Sequence, residues 1–163
     1  MYRHILVLAT DHPASAHAAQ QAHRLTRALG GRVTLLRVLA TGGTSQRAAA
    51  LAQLQALAAG ARRAPGVAVL VLEPPGAEPA PAIAAFATRS GADLIVLGLG
   101  GTGSPADDAQ GALALALAVL SGVPVQLAAA PSPARVGGPP WLRVVEEAGP
   151  SRSAQRLGGQ KSS

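Results

Sequence analysis

The sequence predicts an α/β fold, a three-layer α/β/α sandwich around a five-stranded parallel sheet, Rossmann-like in layout. Three observations predict it. Short apolar runs alternate with longer segments whose apolar residues recur at helical spacing. Those runs are apolar on both faces, as in a parallel sheet covered on each side by helices. The fourth run ends in a cluster of glycines before a helix opens, an arrangement that gathers backbone N–H groups around an anion. With 163 residues the chain suits one domain with a proper core.

Ile5 to Ala9 reads as the first strand. Turn residues Thr10 to Pro13 follow, with Ser15 as a local cap, and Ala18, Ala22, Leu25 and Leu29 then mark a helix from Ala14 to Leu29. Gly30 and Gly31 stop it, and Val33 to Leu39 is the second strand. An Ala/Leu/Gln helix spans 46–62, ended by Pro65 and Gly66 before the strand Val67 to Leu72. A proline-rich connector, Glu73 to Pro81, leads to a short helix over Ala82 to Ser90, stopped by Gly91. Leu94 to Leu97 is the fourth strand. Ala112 to Leu117 alternates with period two, but alanine and leucine favour helix and Ser104-Pro105 is a helix start, so helix is expected. Val123 to Leu127 is the fifth strand. The domain is expected to occupy residues 1–130.

Residues 131–163 change character, being rich in Pro, Gly, Ser and Arg, and are expected to form a largely disordered basic tail around the island Trp141 to Glu147. The tail carries five of the 14 basic residues and only two of the eight acidic ones, half of the net +6. Aromatic residues are 2 % of the chain, too few in the body for stacking on nucleic acid, which is not an expected partner. The chain has no cysteine, which excludes disulfides and thiolate metal sites and fits a cytoplasmic setting. The apolar start is too short for a secretory signal and is interrupted by Asp11. Gly111 to Ala130 has the length of a membrane span, but Gly122 and Pro124 break it, so no membrane partner is expected. The histidines His4, His12, His17 and His23 share no helical face with a carboxylate, and surface or turn positions are expected for them. No nucleophile elbow is present, and lysine is absent before Lys161.

In an open parallel sheet, ligands collect beyond the carboxyl ends of the strands, where strand order reverses. Asp11 follows the first strand, Val38 ends the second, and Gly98 to Gly111 follow the fourth. A carboxylate beside a base or ribose and a glycine loop for phosphates are the parts that a nucleotide site needs.

The opening Tyr2 to Asp11, the stretch Gly91 to Gly98 and the closing Gly122 to Val125 resemble the universal stress protein family, in matching order over about residues 2–130. ATP-binding members of that family carry a glycine, two residues, a glycine, nine residues, then a glycine followed by Ser or Thr. Gly98, Gly101 and Gly111 keep that spacing. The resemblance implies that Asp11 and Val38 contact the adenosine part, while Gly98, Gly101 and Gly111 wrap the ribose and phosphates. With Ala9, Thr10, Gly100, Gly103 and Ala112 they make the candidate cofactor-binding set. The cofactor implied is ATP, with magnesium. No catalytic or metal-ligating residue is assigned.

The departures from the pattern are equally specific. Ala112 stands where the phosphate-binding hydroxyl is expected, and the loop carries Asp107 and Asp108 with no Arg or Lys. Two carboxylates at a helix start would repel a triphosphate by roughly 1 kcal/mol per close pair, even with water screening. A magnesium ion between them and the phosphates would reverse that sign. Alternatively, Ser104 and Asp107 form a capping-box-like start and nothing more. Two functions follow. One is a cytoplasmic regulator that binds ATP without efficient turnover, for want of a general base or arginine finger. The other is a module with a degenerate pocket, acting through dimerisation and protein partners. Either is expected to pair as a homodimer through Val123 to Leu127, an otherwise exposed apolar edge.

Overall fold

A computed structural model of the chain describes residues 2–39, 43–60, 66–74, 78–100 and 105–129. The elements run β1 (His4–Ala9), α1 (Ala14–Leu29), β2 (Arg32–Val38), α2 (Thr44–Ala59), β3 (Val67–Leu72), α3 (Pro79–Ser90), β4 (Leu94–Leu99), α4 (Pro105–Ser121) and β5 (Val125–Ala129). All strand pairs are parallel, in the order β3-β2-β1-β4-β5. The chain winds outward from β1 to β3, then returns across β1 to β4. Strand order therefore reverses between β1 and β4, which puts a crevice at their carboxyl ends.

The strands' alternation divides the core into two layers. Ile5, Val7, Val33, Leu35 and Val96 point to one face and meet Ala18, Ala22 and Leu54 of α1 and α2. Leu6, Leu8, Leu36, Ile95 and Leu97 point to the other and meet Ile83, Ala87 and Leu117 of α3 and α4. Every residue of β1 is buried, because β1 is central and covered on both sides. Alanines fill the α1 interface, so the helix lies close to the sheet.

Gly30 and Gly91 end α1 and α3 with left-handed φ of 75° and 65°, the stops expected of glycine there. Other boundaries move. The proline-rich connector is shorter than expected, since α3 begins at Pro79: proline fits a helix's first turn, where an N–H has no partner in any case. Helix α2 starts at Thr44 and ends at Ala59, and residues 61–65 lie outside the described residues. Ser15 does not cap α1; its Oγ accepts the Thr10 N–H at 2.9 Å and donates to the Thr10 carbonyl at 3.0 Å, tying the turn to the helix. The fifth strand sits two residues later than expected, beginning after Pro124, whose carbonyl accepts the Ile95 N–H at 2.9 Å.

His4 and His23 are buried, against the surface or turn positions expected of them. His4 was misjudged because it lies at the start of a strand enclosed on both faces, and His23 because it falls on the inner face of α1. No described helix is long and apolar enough to cross a membrane. The predicted tail lies outside the described residues.

Candidate functional site

A cleft of about 280 Å³ opens at the carboxyl ends of β1 and β2. Leu8, Ala9, Thr10, Asp11, Arg37 and Val38 form its floor and one wall, and Pro74, Pro79, Ile83 and Leu113 close it from α3 and α4. Its surface is mainly hydrocarbon, with the charged groups at the rim. Each group is there because a strand stops: Ala9 is the last residue of β1 and Val38 the last of β2. A flat apolar ring fits such a slot, with backbone groups at the strand ends to orient it.

Four residues of the expected set therefore line the cleft: Ala9, Thr10, Asp11 and Val38. The glycines are placed differently. Gly98 is buried within β4, where an added Cβ would lie 2.4 Å from the Ala14 carbonyl oxygen, so glycine there permits α1 to approach the strand. Gly111 and Ala112 lie in the second turn of α4, Ala112 exposed, and neither lines the cleft. Gly100 is half-buried and pinned between the His12 ring and the Asp107 carboxylate. Gly101 and Gly103 lie outside the described residues.

Sequence reasoning missed Arg37 and Gln53. Arg37 Nη2 donates to Asp11 Oδ2 at 2.5 Å, and its Nη1 donates to Gln53 Oε1 at 3.1 Å. Gln53 Nε2 then donates to the Thr10 carbonyl at 2.9 Å. The ion pair is lopsided: the Arg37 side chain is 12 % exposed and that of Asp11 88 %. Asp11 is thus a rim carboxylate that neutralises a cation set into the wall. The signal was in the sequence, since Arg37 is the one charge inside the apolar run Val33 to Leu39. On the far side of this pair, Gln46, Ala49 and Gln53 of α2 line a second, more polar recess of about 530 Å³.

Asp107 and Asp108, equivalent by sequence, separate in space. Asp107 is 8 % exposed and accepts the Gly100 N–H at 2.6 Å, whereas Asp108 is exposed. Asp107 thus bonds to the backbone just after β4, seven residues away, while Ser104, its partner in the capping-box-like reading, lies outside the described residues. That carboxylate is committed to a backbone N–H, and among the described residues no group of His, Asp and Glu side chains could hold a metal ion. The described residues therefore offer magnesium no cage, and no step is assigned to it.

The sequence matches the family model for the universal stress protein family over residues 1–128. The chain belongs to that family. Solved universal stress proteins share its fold. One from Burkholderia pseudomallei is 22 % identical with a TM-score of 0.62, over 77 % of this chain and 95 % of that one. Another, from Archaeoglobus fulgidus in complex with dAMP, is 21 % identical with a TM-score of 0.61, over 77 % and 97 %. A third, in complex with cAMP, is 20 % identical with a TM-score of 0.62, over 77 % and 95 %. At these identities the likeness concerns the fold alone. No curated protein matches the sequence.

Proposed function

We propose that this universal stress protein is a regulator that holds an adenine nucleotide in the cleft beyond β1 and β2 and turns it over slowly at most. The observation that carries the reading is the cleft itself. It lies at the carboxyl ends of the strands beside the reversal of strand order, is mainly apolar, and is lined by Ala9, Thr10, Asp11 and Val38. Family members solved with dAMP and cAMP support an adenine ligand. The role is that of a cytoplasmic stress-response factor, with ATP among the ligands to be tested. Binding rather than turnover is proposed because a slow or absent reaction needs no general base or arginine finger, and Arg37 is already engaged by Asp11 and Gln53.

Titration calorimetry tests this with adenosine, AMP and Mg-ATP. Saturable binding is expected for at least one of them, and Val38→Trp, which fills the slot, should weaken it tenfold or more while the protein stays folded. Absence of heat with all three would leave the degenerate-pocket module as the function. That second reading is favoured by one observation, the Asp107 carboxylate on the Gly100 N–H.

The proposal includes a homodimer. β5 is an edge strand with Leu127 40 % exposed, and the neighbouring α4 leaves Leu115, Val119 and Leu120 exposed. A second copy covering this surface would remove an apolar edge from water. Sedimentation should give a dimer that Leu127→Lys dissociates, and a wild-type monomer at micromolar concentration would refute it.

A further inference from the structure

We infer that the polar recess on the α2 side of Arg37 is the anion pocket of the site: the phosphate of a nucleotide whose base lies in the cleft is held there by the Arg37 guanidinium, where it takes the place of Asp11. The inference rests on the adenine-nucleotide reading above and names the residue that tells a nucleotide from its nucleoside.

The cleft and the recess share a wall. Asp11, Arg37 and Val38 line both, and Gln46, Ala49 and Gln53 complete the recess from α2. The mainly hydrocarbon cleft suits a base. A phosphate needs donors, and the recess supplies them from the Arg37 guanidinium and the Gln46 amide. Among the described residues, Arg37 is the only cationic side chain that lines either cavity.

Arg37 is held as a fixed charge. Gln53 Oε1 accepts its Nη1 at 3.1 Å, and Gln53 is fixed in turn through its Nε2 to the Thr10 carbonyl at 2.9 Å. A mostly buried cation needs an anion beside it. In the structure Asp11 supplies that anion, at 2.5 Å from Nη2, but the two partners differ in what separation would cost them. The Asp11 side chain is 88 % exposed and can turn to water, whereas that of Arg37, at 12 %, cannot. Asp11 is therefore the replaceable member of the pair.

A phosphate monoester brings about two negative charges and three acceptor oxygens. It can take two parallel N–H···O bonds from a guanidinium, where Asp11 accepts one from Nη2. The exchange leaves neither group stranded: Arg37 keeps Gln53 and gains the phosphate, and Asp11 passes into solvent. Asp11 nevertheless stays close to the incoming anion as a like charge, so it tempers the affinity that Arg37 confers.

Calorimetry at fixed ionic strength tests the inference with adenosine, AMP and Mg-ATP on the wild type, Arg37→Gln and Asp11→Asn. The wild type should bind AMP at least tenfold more tightly than adenosine. Arg37→Gln should bring AMP to within threefold of adenosine, with adenosine affinity itself unchanged. Asp11→Asn, at an exposed side chain that folding does not depend on, should widen the preference for AMP at least threefold. AMP binding the wild type no more tightly than adenosine overturns the inference, and so does an equal loss of both ligands in folded Arg37→Gln, which would make Arg37 a support of the cleft wall only. If Arg37→Gln does not fold, Asp11→Asn decides, and an unaltered preference there overturns the inference. In each of these cases the adenine-nucleotide reading survives. Failure of all three ligands on the wild type and on every folded variant overturns both.

Discussion

The two ends of the parallel sheet carry similar polar groups and use them in opposite ways. At the amino ends of the strands, His4 Nε2 lies 2.8 Å from Thr34 Oγ1, and its Nδ1 lies 3.1 Å from the Ser90 carbonyl and 3.3 Å from Arg32 Nη2. Asp93 Oδ2 accepts the N–H groups of Arg3 and His4 at 2.8 and 3.0 Å, and these bonds lower its pKa. This cluster knits chain segments together and contributes to neither the cleft nor the recess described above. At the carboxyl ends, Asp11, Arg37 and Gln53 line a cleft and its neighbouring recess. The difference is one of topology. At the amino ends backbone hydrogen bonds tie neighbouring segments across the strands, whereas at the carboxyl ends of β1 and β2 the strand ends and the residues of α3 and α4 leave an open cleft. A polar cluster is evidence of a site only where the fold also leaves room.

The largest effect that would break this arrangement comes from Gly98, where α1 and β4 meet near the carboxyl ends of the strands. Gly98→Ala forces its new methyl against the Ala14 backbone, at 2.4 Å from the oxygen. Backbone has nowhere to yield, and a loss of about 3 kcal/mol in urea unfolding is expected. A loss below about 1 kcal/mol would mean that the glycine is not there for this contact.

At the other end, Thr34→Val leaves His4 Nε2 without its hydroxyl partner in a buried place. About 2 kcal/mol should be lost, with the carboxyl-end cleft and its ligand affinity unchanged. Coupling between the ends would appear as altered affinity.

The smallest effect concerns His23, whose two ring nitrogens lack hydrogen-bond partners in the structure. Burial lowers its pKa, and that of His4, below the ordinary 6.5. The unfolded chain therefore takes up protons near pH 6.5 that the folded chain refuses. Stability is full above that pH and declines as pH falls below it, until the folded histidines themselves protonate, by up to about 1.4 kcal/mol per pH unit for each histidine. His23→Leu should leave stability at pH 8 within about 1 kcal/mol and reduce the decline between pH 6.5 and 5. An unchanged decline would assign the pH dependence to His4 alone.

Much of the fold was legible because both of its signals are local. Apolar runs on two faces gave β1 and β4, and Gly30 and Gly91 marked helix ends where the left-handed φ later proved necessary. Boundaries failed where a local rule had two uses: proline reads as a loop residue, yet Pro79 opens α3. The lining of the cleft was legible in part. Ala9, Thr10, Asp11 and Val38 follow from strand ends, which topology makes neighbours. The roles of Gly98 and Asp107 were hidden because they depend on the approach of α1 and on a carboxylate reaching seven residues back. Arg37 was visible as a charge in an apolar strand, but its partner Gln53 comes from a separate helix and has no signature of its own.

The central claim is that ligand binding belongs to the carboxyl end of the sheet alone. Adding AMP to isotope-labelled protein and following backbone amide resonances tests it most directly. Shifts are expected at Ala9, Thr10, Asp11, Val38 and Leu113, with His4, Thr34 and Asp93 unmoved. Saturating AMP that moves none of the cleft resonances, or moves those around His4 instead, would contradict the account.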